Sequence, residues 1–196
     1  MRKETLVWLA LASVLNTSLA STPFVTFSDS AMHFTFSYPD DFQSLPSVQP
    51  QVGGCLIIPL RLKGKSERPY ERILVSEIDF DCLKRETPDL GSLTKSTESD
   101  VMKVYGDLEM SEPTKFFLDG HPAAFIRTKA KVNVPMKGLG TGMVLYGAQT
   151  CVLLEHRVVC WNVLSSDQAR LGPLGPLLAG KVAFSGRPGQ AWAPVH

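Results

Sequence analysis

The clearest strand pattern lies in residues 143–164, MVLYGAQTCVLLEHRVVCWNVL. It is rich in Val, Leu, Tyr and Trp, side chains that suit a pleated, buried surface. Glu155-His156 interrupts it midway. A two-residue turn there pairs Leu154 with Arg157, Leu153 with Val158, Val152 with Val159 and Cys151 with Cys160. Pair types alternate outward from such a turn, so the cysteines fall on a non-hydrogen-bonded pair, with Cα atoms about 4.5 Å apart. That spacing suits a disulfide. Gln149 and Asn162 also face each other and are read as a satisfied amide pair within the sheet. One face of the hairpin carries Met143, Leu145, Leu153, Val158 and Leu164; the other carries Val144, Tyr146, Val152, Leu154, Val159, Trp161 and Val163. A sheet wetted on one side would alternate with polar residues, so this pattern predicts central strands covered on both faces.

Other segments are placed by the same periodicities. A short strand is expected around residues 24–27. In 32–38, Phe34, Phe36 and Tyr38 alternate with His33, Thr35 and Ser37, which is period two. Pro39-Asp40-Asp41 stops that strand, and the turn carries Phe42 inward. Residues 43–54 read as a loop. Residues 55–62, CLIIPLRL, form a strand whose Pro59 demands an edge or a bulge. After a charged loop, residues 72–81 form another, with Leu74, Ile78 and Phe80 on one face and Glu77, Asp79 and Asp81 on the other, beside Val75. Residues 92–105 predict a helix with Ser92 as N-cap and Leu93, Val101, Val104 and Tyr105 to one side. Asp119-Gly120 is a strong hairpin signal joining strands 115–118 and 122–134. In the second of these, Ala124, Ile126, Thr128, Ala130 and Val132 share one face, and Arg127, Lys129 and Lys131 share the other with Phe125. The C-terminal part predicts a helix broken by Pro173 and Pro176 into short pieces, with Leu174, Leu177 and Leu178 inward, and a last strand at 181–184. Strands, a helix, a meander and a helix give an α+β fold: a mainly antiparallel sheet with helices packed on its faces.

The chain opens MRKETLVWLALASVLNTSLA. A basic start, an apolar run too short to span a bilayer and a Ser18-Leu19-Ala20 end read as a signal peptide over residues 1–20. The mature chain then starts at Ser21, with a single domain over 21–184 and a disordered tail over 185–196. The Asn16 glycosylation sequon falls in the removed part. Removal takes Lys+Arg from 20 to 18 and Asp+Glu from 19 to 18, so the mature net charge is near zero. Nothing there argues for nucleic acid, and no later run reads as a transmembrane segment. Cys55, Cys82, Cys151 and Cys160 are an even set in an exported chain, which favours disulfides. The hairpin register selects Cys151 with Cys160 and leaves Cys55 with Cys82. The spacings lack C-x-x-C or a close His, which argues against zinc and redox chemistry.

Two stretches carry a resemblance: MHFTFSYPDDF, residues 32–42, and FFLDGHPAAFIRTKA, residues 116–130, followed by a hairpin and a closing helix. The pattern resembles the PsbP-like group of α/β/α sandwiches, which includes PsbP and DcrB. The resemblance implies that fold and a non-catalytic binding or assembly role, and it supplies no site residue.

Two clusters remain as candidate chemistry. Glu77, Asp79 and Asp81 would place three carboxylates along one strand face, as a Ca²⁺ site needs oxygens; the simpler reading is a solvated face. Arg127, Lys129 and Lys131, with Arg61 and Lys63 as additions, form a basic stripe suited to an acidic partner or an anionic head group. Here too the simpler reading is a solvated face. Gly138, Gly140 and Gly142 precede a strand, not a helix, and lack the Lys-Ser/Thr of a phosphate loop. No catalytic motif is present, and no cofactor is implied. The sequence therefore predicts a secreted or periplasmic binding module for a protein or envelope component. The alternatives are a small-molecule or lipid carrier with a pocket between sheet and helix and, third, a secreted hydrolase.

Overall fold

The computed structural model describes residues 23–29, 34–46, 52–67, 69–179 and 182–184. The expected signal peptide and the tail over 185–196 lie outside the described residues. In chain order the elements are β1 (Phe24–Asp29), β2 (Phe34–Pro39), β3 (Phe42–Ser44), β4 (Leu56–Gly64), β5 (Glu71–Asp79), α1 (Phe80–Leu83), α2 (Leu90–Met102), β6 (Gly106–Met110), β7 (Thr114–Leu118), β8 (His121–Val132), β9 (Val144–Leu154), β10 (Arg157–Ser165), α3 (Gln168–Ala179) and β11 (Val182–Phe184). A 3₁₀ turn at Val52–Gly54 precedes β4.

Eight strands form one sheet in the order β3-β4-β5-β10-β9-β8-β6, with β7 also on β8. All its pairings are antiparallel. β9 and β10 sit in the middle, and their register is the one the apolar pattern predicts: Leu154 opposite Arg157, Cys151 opposite Cys160, Gln149 opposite Asn162. Glu155 takes a left-handed conformation (φ 50°) to close the turn. The structure joins Cys151 to Cys160, with Cα atoms 4.1 Å apart, and Cys55 to Cys82.

The first face of this sheet is covered by a second, three-stranded sheet, β1-β2-β11, and by α3. Phe34, Phe36 and Tyr38 of β2 pack with Ile73, Val75, Val159, Trp161 and Val163. The Phe36 and Trp161 rings lie 6.3 Å apart and both are fully buried. Truncating either to Ala would cost about 3–5 kcal/mol. The second face is covered by α2, over Leu145, Ala130, Val132, Cys151, Val158 and Cys160. The arrangement is α+β, in three layers.

Several expectations need correction. α2 is capped by Asp89, whose Oδ1 accepts from the Ser92 N–H at 3.0 Å, not by Ser92. Val104 lies beyond the helix and is exposed. α3 is one helix of 12 residues despite Pro173 and Pro176, with Leu171 and Leu174 buried; the side chains of Leu177 and Leu178 lie outside the described residues. Residues 43–54 are not wholly a loop, because Phe42–Ser44 pairs with β4. Pro59 does mark a bulge, where the β4–β5 register shifts between Ile57 and Leu60. On β5 the two faces are grouped as expected, but the face that carries Val75 and Glu77 is not solvated. Glu71, Ile73, Val75 and Glu77 point into the core and are buried.

Both buried β5 acids meet arginines. Glu71 takes Arg170 of α3, with Nε 2.9 Å from Oε1, while Nη2 of the same arginine reaches Asp41 at 2.9 Å. Glu77 takes Arg157 across the sheet at 3.2 Å. Arg170 thus ties the start of α3 to the sheet, and its guanidinium holds its proton more tightly than usual because of these two carboxylates.

Candidate functional site: a cleft between the third helix and the sheet

β8 is 12 residues long and uses one edge for two partners. β7 pairs with its first half and β6 with its second. Residues 111–113 join these as a bulge, so residues 106–118 run as one interrupted edge strand. Pro113 and the charged side chains along it suit an edge that must not pair further. β6 was not expected from the sequence. On the first face, α3 crosses β9 and β10 and stops short of this edge. The uncovered sheet and the flank of α3 bound an open cleft of about 740 Å³.

The cleft floor is Phe116, Phe125, Tyr146, Ala148 and Thr150; Gln168, Leu171 and Gly172 of α3 form one wall. Phe116, Phe125 and Tyr146 are half-buried and continue into the main core. Ser111, Thr114, Arg127, Lys129 and Glu109 line the opposite side. Arg127 is fixed by the bulge: its N–H donates to Ser111 Oγ at 3.1 Å, and its carbonyl accepts from the Ser111 N–H at 2.9 Å. Its guanidinium lies 5.5 Å from the Phe125 ring centroid, a cation–π contact. It has no carboxylate partner among the described residues. Lys129 pairs with Glu109 at 3.4 Å, both well exposed.

The predicted basic stripe is thus divided. Arg127 and Lys129 line the cleft. Lys131 lies farther along β8, opposite Asp107. Arg61 and Lys63 alternate with Leu60 and Leu62, which face the first-face core, so they lie on the second face and four strand positions away. The structure does not bring them to the stripe.

The three carboxylates expected along one strand face are not such a set. Glu77 is buried and paired with Arg157, not solvated. Asp79 accepts from the Cys82 N–H at 2.9 Å to cap α1 and also meets Arg157 at 3.5 Å. Asp81 belongs to α1 and points to solvent near His156. Among the described residues no group of three His, Cys, Asp or Glu could hold a metal ion.

Under α2 lies a buried polar cluster that strand alternation did not reveal. Glu98 is fully buried and accepts hydrogen bonds from the Thr128 hydroxyl and from Asn162 Nδ2. Gln149 Nε2 donates to Thr97 Oγ1, and the Thr97 hydroxyl donates to the Leu93 carbonyl at 2.9 Å. Gln149 and Asn162 therefore face each other in register but turn to the helix, not to one another. Burial raises the Glu98 carboxyl from 4.5 to about 7, against the two hydrogen bonds that favour its charge. Glu98, Thr128, Gln149 and Asn162 are buried, Thr97 half-buried at the rim, and the cluster ties α2 to the sheet.

A second surface stands out at the end of the sheet beyond β8. Of the exposed large apolar side chains among the described residues, Val104, Val134, Met136 and Met143 lie on the segments that meet there. The Asn133 N–H donates to the Tyr105 carbonyl at 3.2 Å, which brings the 104 and 134 segments together. The connection between β8 and β9 is held by the buried Leu139 and by a Met136–Leu139 bridge. Lys131 and Lys137, both exposed, flank this tip.

In sequence, no family model matches the chain and no curated protein matches it. Its structure is similar to solved folds. Cyanobacterial PsbP (CyanoP) from Synechocystis sp. PCC 6803 matches with TM-score 0.56 and 15% identity, over 85% of this chain and 95% of that one. The Saccharomyces cerevisiae Ran-binding protein Mog1p matches with TM-score 0.56 and 10% identity, over 85% and 97%. LpqN of Mycobacterium tuberculosis, involved in cell envelope biogenesis, matches with TM-score 0.50 and 12% identity, over 85% and 87%. The resemblance to the PsbP-like group holds at the level of fold.

Proposed function

We propose that the protein is an exported, non-catalytic binding or assembly module that acts outside the cytoplasm on a protein or envelope component. The carrying observation is the apolar tip of Val104, Val134, Met136 and Met143 with its flanking lysines. Apolar side chains grouped in water are costly to leave uncovered, and such patches mark contact surfaces. The two disulfides and the apolar N-terminal run support an oxidising compartment. Two proteins of similar fold, a Ran-binding protein and one involved in cell envelope biogenesis, are in keeping with a binding role.

The test is capture of partners from the host's extracytoplasmic fraction by cross-linking, with wild type and a Val134→Glu/Met136→Glu variant. The wild type should retain a discrete partner that the variant loses. Equal capture by both, with the variant folded, would overturn the tip as the binding surface.

A second reading has its own observation. The open cleft beside α3, with an aromatic floor and a volume in the range of small-molecule sites, favours a carrier of a small molecule or lipid.

A further inference from the structure

We propose that the cleft beside α3 binds an anionic amphiphile, with its carboxylate or phosphate on Arg127 and its apolar chain over Phe116, Phe125 and Tyr146 against Leu171. This rests on the carrier reading and names its ligand class.

Three features select that class. The first is charge. Arg127 is the cleft's one cation without a carboxylate partner among the described residues, and the bulge at Ser111 holds its backbone on both sides. A planar guanidinium fits a carboxylate or phosphate through two parallel hydrogen bonds. Lys129 is shared with Glu109, and Glu109 itself lines the cleft, so the site holds little positive charge beyond Arg127. That suits a ligand with one anionic group and disfavours a polyanion.

The second is the floor. Beyond Arg127 and Lys129 it is aromatic and aliphatic, with hydroxyls of Ser111, Thr114 and Thr150 at intervals. An apolar chain gains by leaving water here, at about 25 cal/mol per Å² buried.

The third is the backbone. The floor strands β8 and β9 are each paired on both edges, and β7, which carries Phe116, has its free edge directed outward in the plane of the sheet, away from this face. An extended peptide laid on this face would find no main-chain donors or acceptors, which strand-adding recognition requires. An acyl or aryl chain needs none.

The experiment is titration calorimetry of the intact, disulfide-bonded protein with decanoate, decyl phosphate, decanol and inorganic phosphate. Decanoate or decyl phosphate should bind, decanol at least about tenfold more weakly, and inorganic phosphate not measurably. Whichever anion binds more tightly identifies the head group as carboxylate or phosphate. Arg127→Gln should weaken the anion about tenfold and leave decanol unchanged. Lys63→Gln, on the other face of the sheet, should bind as wild type. Anion binding unchanged in Arg127→Gln, or decanol binding as well as the anions, would overturn the anionic assignment while leaving the carrier reading intact. Binding of none of the four would overturn both, and the tip experiment would be unaffected.

Discussion

Glu98 and Gly147 share space that only a glycine leaves. A Cβ at position 147 would lie 2.6 Å from Glu98 Oε1 and closer still to Thr128 Oγ1. Beside Thr128 and Asn162, which bind the α2 carboxylate, the sheet thus presents bare backbone to it. Both neighbours are held in a buried hydrogen-bonded cluster and have nowhere cheap to go. Gly147→Ala should therefore destabilise the protein by about 1–3 kcal/mol, as overpacking does. Urea unfolding would show a lower midpoint with an unchanged slope.

The same carboxyl gives stability a pH dependence. Its value rises from 4.5 in the unfolded chain to about 7 when folded, through burial under α2. Between those values the folded protein keeps a proton that the unfolded chain has released. The group's contribution is fully present below about pH 4.5 and is lost as pH rises through about 7. The loss is on the order of 3 kcal/mol. Glu98→Gln should flatten the stability profile between pH 5 and 8, gaining most over wild type at pH 8. A parallel slope in both proteins would assign the effect elsewhere.

Arg170 anchors α3 through the buried Glu71 and through Asp41. Arg170→Ala leaves Glu71 buried beside the sheet without its fork of donors. Loss of about 2 kcal/mol is expected, from a charge-assisted hydrogen bond removed at a buried acid. Arg170→Lys restores the charge but not the fork and should recover only part of it. Thermal unfolding of the three proteins checks the order.

The two disulfides differ in access. Cys151 and Cys160 are buried under α2, whereas Cys82 lies on the exposed α1. Exchange requires a thiolate to reach a sulfur. Under mild reductant followed by alkylation, labels should appear at Cys55 and Cys82 before Cys151 and Cys160. Peptide mass spectrometry reads the order directly.

The central hairpin was legible because both its faces are apolar and its cysteines fall opposite one another about a two-residue turn. Asp119-Gly120 was legible for a similar reason: Asp119 and Gly120 both adopt positive φ, as the pair favours. β6 was not, since Gly106, Asp107 and Glu109 lack strand propensity and are held by pairing to β8. Glu77 misled the reading of its face as solvated, because alternation treats an acid as solvent-facing and cannot show that Arg157 stands beside it. The Asp89 cap was missed in favour of Ser92, three residues on, which supplies the donor and not the acceptor. The cleft had no sequence signal. Its lining comes from β6, β7, β8, β9 and α3, and only the end of α3 over the sheet leaves it open.

The most direct test of an exported binding module is native mass spectrometry of the protein taken from its own host's extracytoplasmic fraction. The account predicts a chain beginning at Ser21, both disulfides formed, in a complex with a partner protein or carrying an increment of a few hundred daltons, as a small apolar anion would give. Absence of the protein from that fraction, or a chain found there alone, still beginning at Met1 and with free thiols, would contradict it.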